Sequence, residues 1–189
     1  LTLDVTDELK QGVNRLEVKA EHPEMIADMP WVCGGCSSEW GFSEGSQPLG
    51  IFRPVVLEVT DEIRIEPFGV HIWNDEKAAN VSVETEVKNY SKTTETVELV
   101  NKLSNADGKQ VFRLVEKVTL APGEMKVIRQ QAPVENPVLW NTENPYLYKL
   151  ASMIKRDTKT TDEISTPFGI RTISWPVKRN DGDGRFYLN

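Results

Sequence analysis

Two cysteines, Cys33 and Cys36, are the most conspicuous candidates for chemistry in the chain, because two glycines separate them. A Cys-X-X-Cys pair supplies two thiolates, half of the four ligands that a structural zinc site needs. The two histidines, His22 and His71, do not lie at zinc-finger spacing. A dithiol redox motif would need a βαβ context, which the neighbouring residues do not indicate. We therefore predict two thiols or a local disulfide here, with no metal and no cofactor.

Acidic residues are numerous, but they do not form a recognisable catalytic pair. The 189 residues include 29 Asp and Glu against 22 Lys and Arg, for a net charge of -7. Most of these carboxylates must lie on the solvated surface. We predict no catalytic residue within the chain. The negative charge argues against a nucleic-acid partner, and no apolar run is long enough for a membrane span.

The elements that would position any site are predicted to be β-strands from residue 80 onward. Val81, Val83, Thr85 and Val87 alternate with polar residues, which is the period of a half-buried strand. Asp107-Gly108 is a hairpin signal. A Pro-Gly turn at 121–124 favours a tight connection. Further strands are predicted at 94–103, 111–120, 125–131, 146–155 and 164–173, the last two joined by a polar loop at 156–163. About seven strands in about a hundred residues is typical of an immunoglobulin-like sandwich.

The first third of the chain combines short strand-like segments with a long irregular stretch. Alternating patterns predict strands at 1–5, 13–20 and 50–60, with a short helical turn after the first. Residues 21–48 form a long irregular stretch that contains aromatic residues, which argues against disorder. Residues 63–65 and 70–73 are predicted to carry the chain between two domains. The opening in a patterned segment, without a methionine, suggests a fragment of a longer protein.

Two motifs in the second half carry a family resemblance. The run 138–148 contains Trp140, a polar turn and Asn144-Pro145-Tyr146-Leu147-Tyr148. It resembles a segment of the immunoglobulin-like domain of glycoside hydrolase family 2, the β-galactosidase, β-glucuronidase and β-mannosidase group. The later run, 167–173, resembles the segment that closes the same domain. Two motifs in the same order and at the right spacing are far more specific than either alone.

The resemblance implies an all-β chain with two domains. Residues 4–18 resemble the middle of the family's sugar-binding jelly roll, and residues 50–57 resemble its last strand. We therefore expect residues 1–69 to be the C-terminal part of that jelly roll and 70–175 to be the immunoglobulin-like sandwich. Residues 176–189 would be a linker towards a catalytic barrel that the chain does not include.

The resemblance also implies a function. The family hydrolyses β-glycosides by a retaining mechanism with two glutamates, both of which lie in the barrel. We therefore expect a non-catalytic portion of a glycosidase of carbohydrate metabolism, which touches carbohydrate only as part of the intact enzyme. An alternative is an independent carbohydrate-binding or adhesion module built from two sandwiches. A third reading is a purely structural spacer.

Glu39 and Trp40 are the best candidates for a sugar contact. In β-mannosidase-like members, an acidic residue followed by Trp-Gly lies on a loop that reaches over the barrel mouth. By that resemblance Glu39 would accept hydrogen bonds from hydroxyls and Trp40 would stack on a pyranose ring. The alternative is an exposed Glu39 beside a packed Trp40, since conspicuous aromatics are more often core than ligand contacts.

Two structural expectations complete the reading. Leu147 is predicted to face the core, with the two flanking tyrosines on the opposite face, so that Leu147→Asp would unfold the domain.

A jelly roll without its early strands would leave apolar side chains uncovered. We therefore expect self-association through residues 1–69, with repacking within one chain as the alternative. The apolar side chains expected to have too few partners are Val13, Leu16, Val18, Val55, Leu57 and Val59.

Overall fold

The computed structural model describes residues 3–19, 51, 54–174 and 186–189. The chain divides into two compact units, Leu1–Glu58 and Val59–Asn189. The predicted all-β class is confirmed by the sheets described below. Among the described residues, no helix is long and apolar enough to cross a membrane. Glu39, Trp40, Cys33 and Cys36 lie outside the described residues.

The described part of the first unit contains one 3-10 turn, Thr6–Glu8, where a short helical turn was predicted. Before this turn, the Asp4 carboxylate accepts hydrogen bonds from the backbone N–H and the hydroxyl of Thr6, at 3.0 and 2.7 Å. The strands predicted at 1–5, 13–20 and 50–60 are wrong for the residues of those segments that are described. A strand requires ladder hydrogen bonds to a neighbouring strand, and these segments make none to one another.

The second unit is a sandwich of seven antiparallel strands with a small two-stranded ribbon. The bounds are β1 (Ile63–Asn74), β2 (Asn80–Asn89), β3 (Glu95–Ser104), β4 (Gln110–Leu120), β5 (Met125–Pro133), β6 (Tyr148–Arg156), β7 (Lys159–Phe168), β8 (Ile173–Ser174) and β9 (Tyr187–Leu188). One sheet has the order β1-β2-β5 and the other β4-β3-β6-β7, while β8 pairs with β9. This is an immunoglobulin-like arrangement in which the fourth strand joins the sheet of the third.

Several connections differ from the predicted ones. Residues 63–65 and 70–73 belong to one strand, β1, which pairs with β2 on both sides of residues 66–69. The predicted domain boundary at 69/70 therefore falls inside β1, whereas the assignment of the first unit to a jelly roll remains a prediction. The predicted polar loop at 156–163 is mostly strand, because β7 begins at Lys159 after a two-residue turn. In that turn Asp157 takes a positive φ of 54°, as tight hairpins require.

The two sheets pack around a core that alternating residues supply. Val81, Val83, Thr85 and Val87 are fully buried, which confirms the facing predicted for β2. The core is divided into two clusters. One holds Val83, Leu103 and Leu150 among others, and the second holds Val87, Leu99 and Ile154 among others.

A layer of hydrogen-bonded polar side chains lies between the two clusters. Each of four strands contributes the inward residue between its two apolar neighbours: Thr85 (β2), Asn101 (β3), Gln130 (β5) and Ser152 (β6). The Asn101 amide donates to Thr85 Oγ1 at 3.1 Å and to Gln130 Oε1 at 3.0 Å. The Ser152 hydroxyl donates to Asn101 Oδ1 at 2.5 Å. Asn101 thus joins one sheet to the other and satisfies its own buried amide.

The predicted facing of Leu147 is wrong. Leu147 is 48% exposed, whereas Tyr148 is buried and Tyr146 packs against the core. The tyrosine rings face inward because their hydroxyls find backbone partners. Tyr148 Oη accepts the Val138 N–H at 2.9 Å, and Tyr146 Oη accepts the Ala106 N–H at 3.1 Å. Leu147→Asp would therefore place its carboxylate in solvent.

The outer edge of β1 is irregular. Residues 66–69 bulge out between the paired residues Ile65 and Val70. Within the bulge Phe68 has a φ of +62° and a side chain that is 88% exposed. Gly69 follows because an added Cβ would lie 2.8 Å from the Glu66 carbonyl oxygen. Beside the bulge, the Ile65 N–H donates to Asp162 Oδ2 of β7 at 2.7 Å.

Asn101→Ala should destabilise the sandwich by about 2 to 4 kcal/mol, since it removes the buried partner of Ser152 and of the Thr85 and Gln130 oxygens. Urea unfolding followed by circular dichroism measures this. Thr96→Ala in the same strand is the control, because Thr96 bonds only the exposed Thr119 hydroxyl among the hydrogen bonds described. It should change the unfolding free energy by about 0.5 kcal/mol or less. Equal effects of the two substitutions would contradict the role given to the polar layer.

Candidate functional site

The two motifs singled out in the sequence meet in the structure. Trp140 lies before β6 and donates its backbone N–H to the Ile170 carbonyl oxygen at 2.8 Å. Its side chain lies directly over Gly169, where an added Cβ would come within 3.0 Å of three Trp140 atoms. Glycine is therefore required for this close approach. We call this region, built from Asn74, Trp140, Gly169 to Thr172 and Asn189, the Trp140 corner.

Arg171 is held at the corner by two side chains, those of Trp140 and Asn74. Its guanidinium lies over the Trp140 ring, 5.2 Å from the ring centroid, a cation–π contact. Its backbone is clamped by the side chain of Asn74 at the end of β1. The Asn74 amide donates to the Arg171 carbonyl oxygen at 2.9 Å, and the Arg171 N–H donates to Asn74 Oδ1 at 3.2 Å. One asparagine therefore fixes the segment that follows β7 against the opposite sheet.

Asn189 closes the corner from the other end of the chain. Its side-chain amide donates to the Trp140 carbonyl oxygen at 2.9 Å, and its Oδ1 accepts the Thr172 N–H at 2.9 Å. Its backbone N–H donates to the Thr172 carbonyl oxygen at 3.0 Å. Next to it β9 pairs with β8, with Ile173 opposite Leu188. Residues 186–189 thus return to the sandwich and are anchored beside Trp140.

The turn before β6 brings the motif into position. Asn141 Oδ1 accepts the Asn144 N–H at 2.6 Å, and the Asn141 N–H donates to the Asn144 carbonyl oxygen at 3.0 Å. Pro145 then keeps Asn144 out of the helical region. Tyr148 follows at the start of β6, where its hydroxyl reaches back to Val138. A tyrosine near the start of the sixth strand whose hydroxyl bonds to upstream backbone is typical of immunoglobulin-like domains, and here the partner lies ten residues upstream.

The Trp140 corner positions chain segments and has no arrangement for bond chemistry. Its polar side chains are the amides of Asn74 and Asn189, the Arg171 guanidinium and the Thr172 hydroxyl, and none of these is a base that could activate the hydroxyl. Within the described ranges, no group of three or more His, Cys, Asp or Glu side chains could hold a metal ion. Sequence reasoning found Trp140 and Gly169 through their motifs. It missed Asn74 and Asn189, because an asparagine near a strand end has no distinctive pattern.

The sandwich and its corner define an immunoglobulin-like domain of the kind found in glycoside hydrolases. The Glycosyl hydrolases family 2 profile matches residues 63–171, which run from the first residue of β1 to Arg171. This chain belongs to glycosyl hydrolase family 2.

Individual relatives agree with this membership. A β-galactosidase of Bacteroides ovatus is 33% identical over 133 residues, covering 69% of this chain and 16% of that enzyme. A β-glucuronidase of Formosa agariphila is 30% identical over 151 residues, covering 74% of this chain and 15% of that enzyme. The crystal structure of a family 2 glycosyl hydrolase from Bacteroides cellulosilyticus superimposes with a TM-score of 0.62 at 28% identity, over 69% of this chain and 18% of that one. The chain spans about a sixth of the length of the two curated relatives.

Tyr148→Phe should lower stability and flatten its dependence on alkaline pH. Burial raises the pKa of Tyr148 above its usual value of 10.0, although its bond to Val138 acts the other way. Between that value and the higher folded pKa, the unfolded chain has lost the phenolic proton and the folded chain keeps it. The stability that Tyr148 provides is therefore fully present below about pH 10 and is lost as pH rises through the folded pKa.

Urea unfolding between about pH 8 and pH 11.5 measures this contribution. The Phe variant should lose about 1 kcal/mol at neutral pH, because the Val138 N–H loses its partner, and should decline less steeply above pH 10. Tyr146→Phe removes a similar hydroxyl-to-backbone bond and serves as the control for the loss of stability caused by removing that bond. An unchanged slope for Tyr148→Phe would show that this hydroxyl titrates alike in both states.

Proposed function

We propose that this chain is a non-catalytic β-sandwich portion of an enzyme that hydrolyses β-glycosides. The observation that carries the proposal is the coincidence of the family match with the sandwich, from Ile63 to Arg171. The relatives are named β-galactosidase and β-glucuronidase, so a β-linked galactoside or glucuronide is the proposed substrate class of the parent enzyme. In the family's retaining mechanism, two carboxyl groups flank the scissile bond, and none of the described residues is assigned to either role.

The role proposed for the sandwich is to fix the direction in which the polypeptide leaves it after β7. Asn74 and Asn189 tie the end of β1 and residues 171–172 to the same tryptophan corner. A rigid corner of this kind positions whatever segment is covalently joined to it. Glu39 and Trp40 remain proposed sugar contacts of the parent enzyme on the strength of the resemblance. A raised KM with unchanged kcat after Trp40→Ala is the kinetic sign of such a contact.

The purified chain should not hydrolyse nitrophenyl β-galactoside or nitrophenyl β-glucuronide. The physical reason is that glycoside hydrolysis needs an acid and a nucleophile about 5 Å apart across the glycosidic bond, and we assign no such pair. Release of nitrophenolate is the measurement, with a full-length family 2 β-galactosidase as positive control. Turnover that persists through a second purification and tracks the protein peak would refute the non-catalytic assignment.

We also propose that the isolated chain associates with a second copy through residues 1–69. The supporting observation is that the apolar side chains expected to be uncovered are exposed. They include Val13, Leu16 and Val59. Exposed apolar side chains in this number favour association. The proposal concerns the isolated chain and does not depend on the activity of the parent enzyme.

Analytical ultracentrifugation tests the association. The full chain should sediment as a concentration-dependent dimer, whereas a truncated chain that begins at Val59 should remain monomeric. The truncation starts there because β1 begins at Ile63 and must be kept whole. If both chains sediment as monomers over a hundredfold range of concentration, residues 1–58 do not mediate self-association.

A further inference from the structure

The outer face of the three-stranded sheet carries an exposed tryptophan among polar side chains. Trp73 of β1 is 44% exposed and points away from the core, since its neighbours Ile72 and Val70 pack inward. A large aromatic side chain left in solvent near the end of a strand contributes little to the burial of apolar surface. Its position therefore needs an explanation outside the core.

The strand register places five polar side chains around Trp73. Ser82 lies opposite Trp73 on β2, and Gln131 lies opposite Ser82 on β5. One row away on the same face, His71, Glu84 and Arg129 are aligned in the same way. With strands about 4.8 Å apart and residues of one face about 7 Å apart, the six side chains cover roughly 10 by 7 Å. We call this surface the Trp73 face.

Glu84 and Arg129, the oppositely charged neighbours on the Trp73 face, form an ion pair that fixes the orientation of both side chains. Arg129 Nε donates to Glu84 Oε1 in a close ion pair. The Arg129 side chain is 77% exposed, and the Glu84 side chain is 23% exposed. An exposed ion pair of this kind adds little stability. It does hold a planar carboxylate beside a planar guanidinium, and together they offer fixed acceptors and donors next to the indole ring.

The backbone beneath Trp73 is held on both sides. Asn74, the next residue, is bonded to Arg171 of the Trp140 corner. Asp75 then fixes the β1–β2 turn, because its carboxylate accepts the Ala79 N–H at 2.8 Å and the Asn80 side-chain amide at 2.8 Å. These bonds lower the pKa of Asp75, so the carboxylate stays ionised. The Trp73 face is thus preorganised, which reduces the ordering cost of binding a ligand.

We propose that the Trp73 face is a binding site for an uncharged saccharide. The indole ring offers an apolar plane to the C–H face of a pyranose. Glu84, Arg129, Gln131 and Ser82 offer hydrogen bonds of both polarities to adjacent hydroxyls, which are themselves donors and acceptors. This site lies on the outer face of the sandwich, and the proposal goes beyond the non-catalytic role proposed above.

The composition of the face favours a saccharide over a protein partner. A stable protein interface buries about 800 Å² on each side around an apolar core. Here the five side chains named above are polar or charged, and the one apolar neighbour in the register is Pro133, opposite Asn80 in the next row. The exposed apolar residues of the same sheet, Val127 and Met125, lie opposite Glu86 and Lys88, four or more residues further along β2. One aromatic plane in a polar frame matches the alternation of C–H faces and hydroxyls on a sugar ring.

Isothermal titration of the 189-residue chain with lactose and with cellotetraose tests the proposal. At least one of these probes should bind with a Kd on the order of 1 mM, as a shallow site of this size allows. Trp73→Ala should weaken binding at least tenfold, and Trp73→Tyr should retain most of it. Glu84→Gln should weaken binding several-fold. Phe68→Ala, which removes another exposed aromatic of the same strand, is the matched control and should bind like the parent.

Three results would overturn the proposal. The first is the absence of binding of both probes at about 20 mM by a chain whose circular dichroism shows it to be folded. The second is binding that Trp73→Ala leaves unchanged. The third is a shift of the sedimentation coefficient towards the monomer on Trp73→Ala, which would make this face a protein interface. Because the titration measures binding alone, its outcome is independent of whether the chain or its parent hydrolyses anything.

Discussion

The sandwich depends on one buried amide, that of Asn101. In antibody domains, a disulfide joins the second and sixth strands and a tryptophan of the third strand packs against it. Here the same three strands are joined by hydrogen bonds among Thr85, Asn101 and Ser152. Hydrogen bonds have directions, whereas apolar contacts do not. The polar layer therefore fixes how far the two sheets slide relative to each other, and the two apolar clusters on either side fill the space that this alignment leaves.

The alignment of the sheets determines what the end of the domain can do. Asn74 belongs to one sheet, whereas Gly169 to Thr172 follow directly from the other, and the two meet at Trp140 only if the sheets are in register. The corner then gathers three distant parts of the chain around one indole ring and one guanidinium. The proposed saccharide face depends on this rigidity, because Trp73 immediately precedes Asn74.

The sequence predicted the class, the approximate number of strands in the sandwich and the inward face of β2, because a period of two residues is readable wherever apolar and polar residues alternate. It did not reveal the polar layer, since Asn101 and Ser152 interrupt the apolar pattern and resemble outward positions. The same ambiguity between inward and outward positions made the predicted facing of Leu147 wrong. Tyrosine tips were expected to face water, but their hydroxyls satisfy backbone N–H groups of Val138 and Ala106. The sequence also did not show which sheet each strand belongs to. The Pro-Gly turn at 121–124 looks like a hairpin, but it joins β4 to a strand of the opposite sheet.

The irregular edge of β1 has a consequence for how copies of this domain meet in a crowded solution. An exposed strand edge is a template on which another chain can form a continuous sheet. At Ile65 the outward N–H is already occupied by Asp162, and the bulge that follows turns Phe68 out of line with any incoming strand. A second strand would find neither a free donor nor a straight backbone there. The bulge and the carboxylate together therefore protect this edge from aggregation through edge-to-edge pairing.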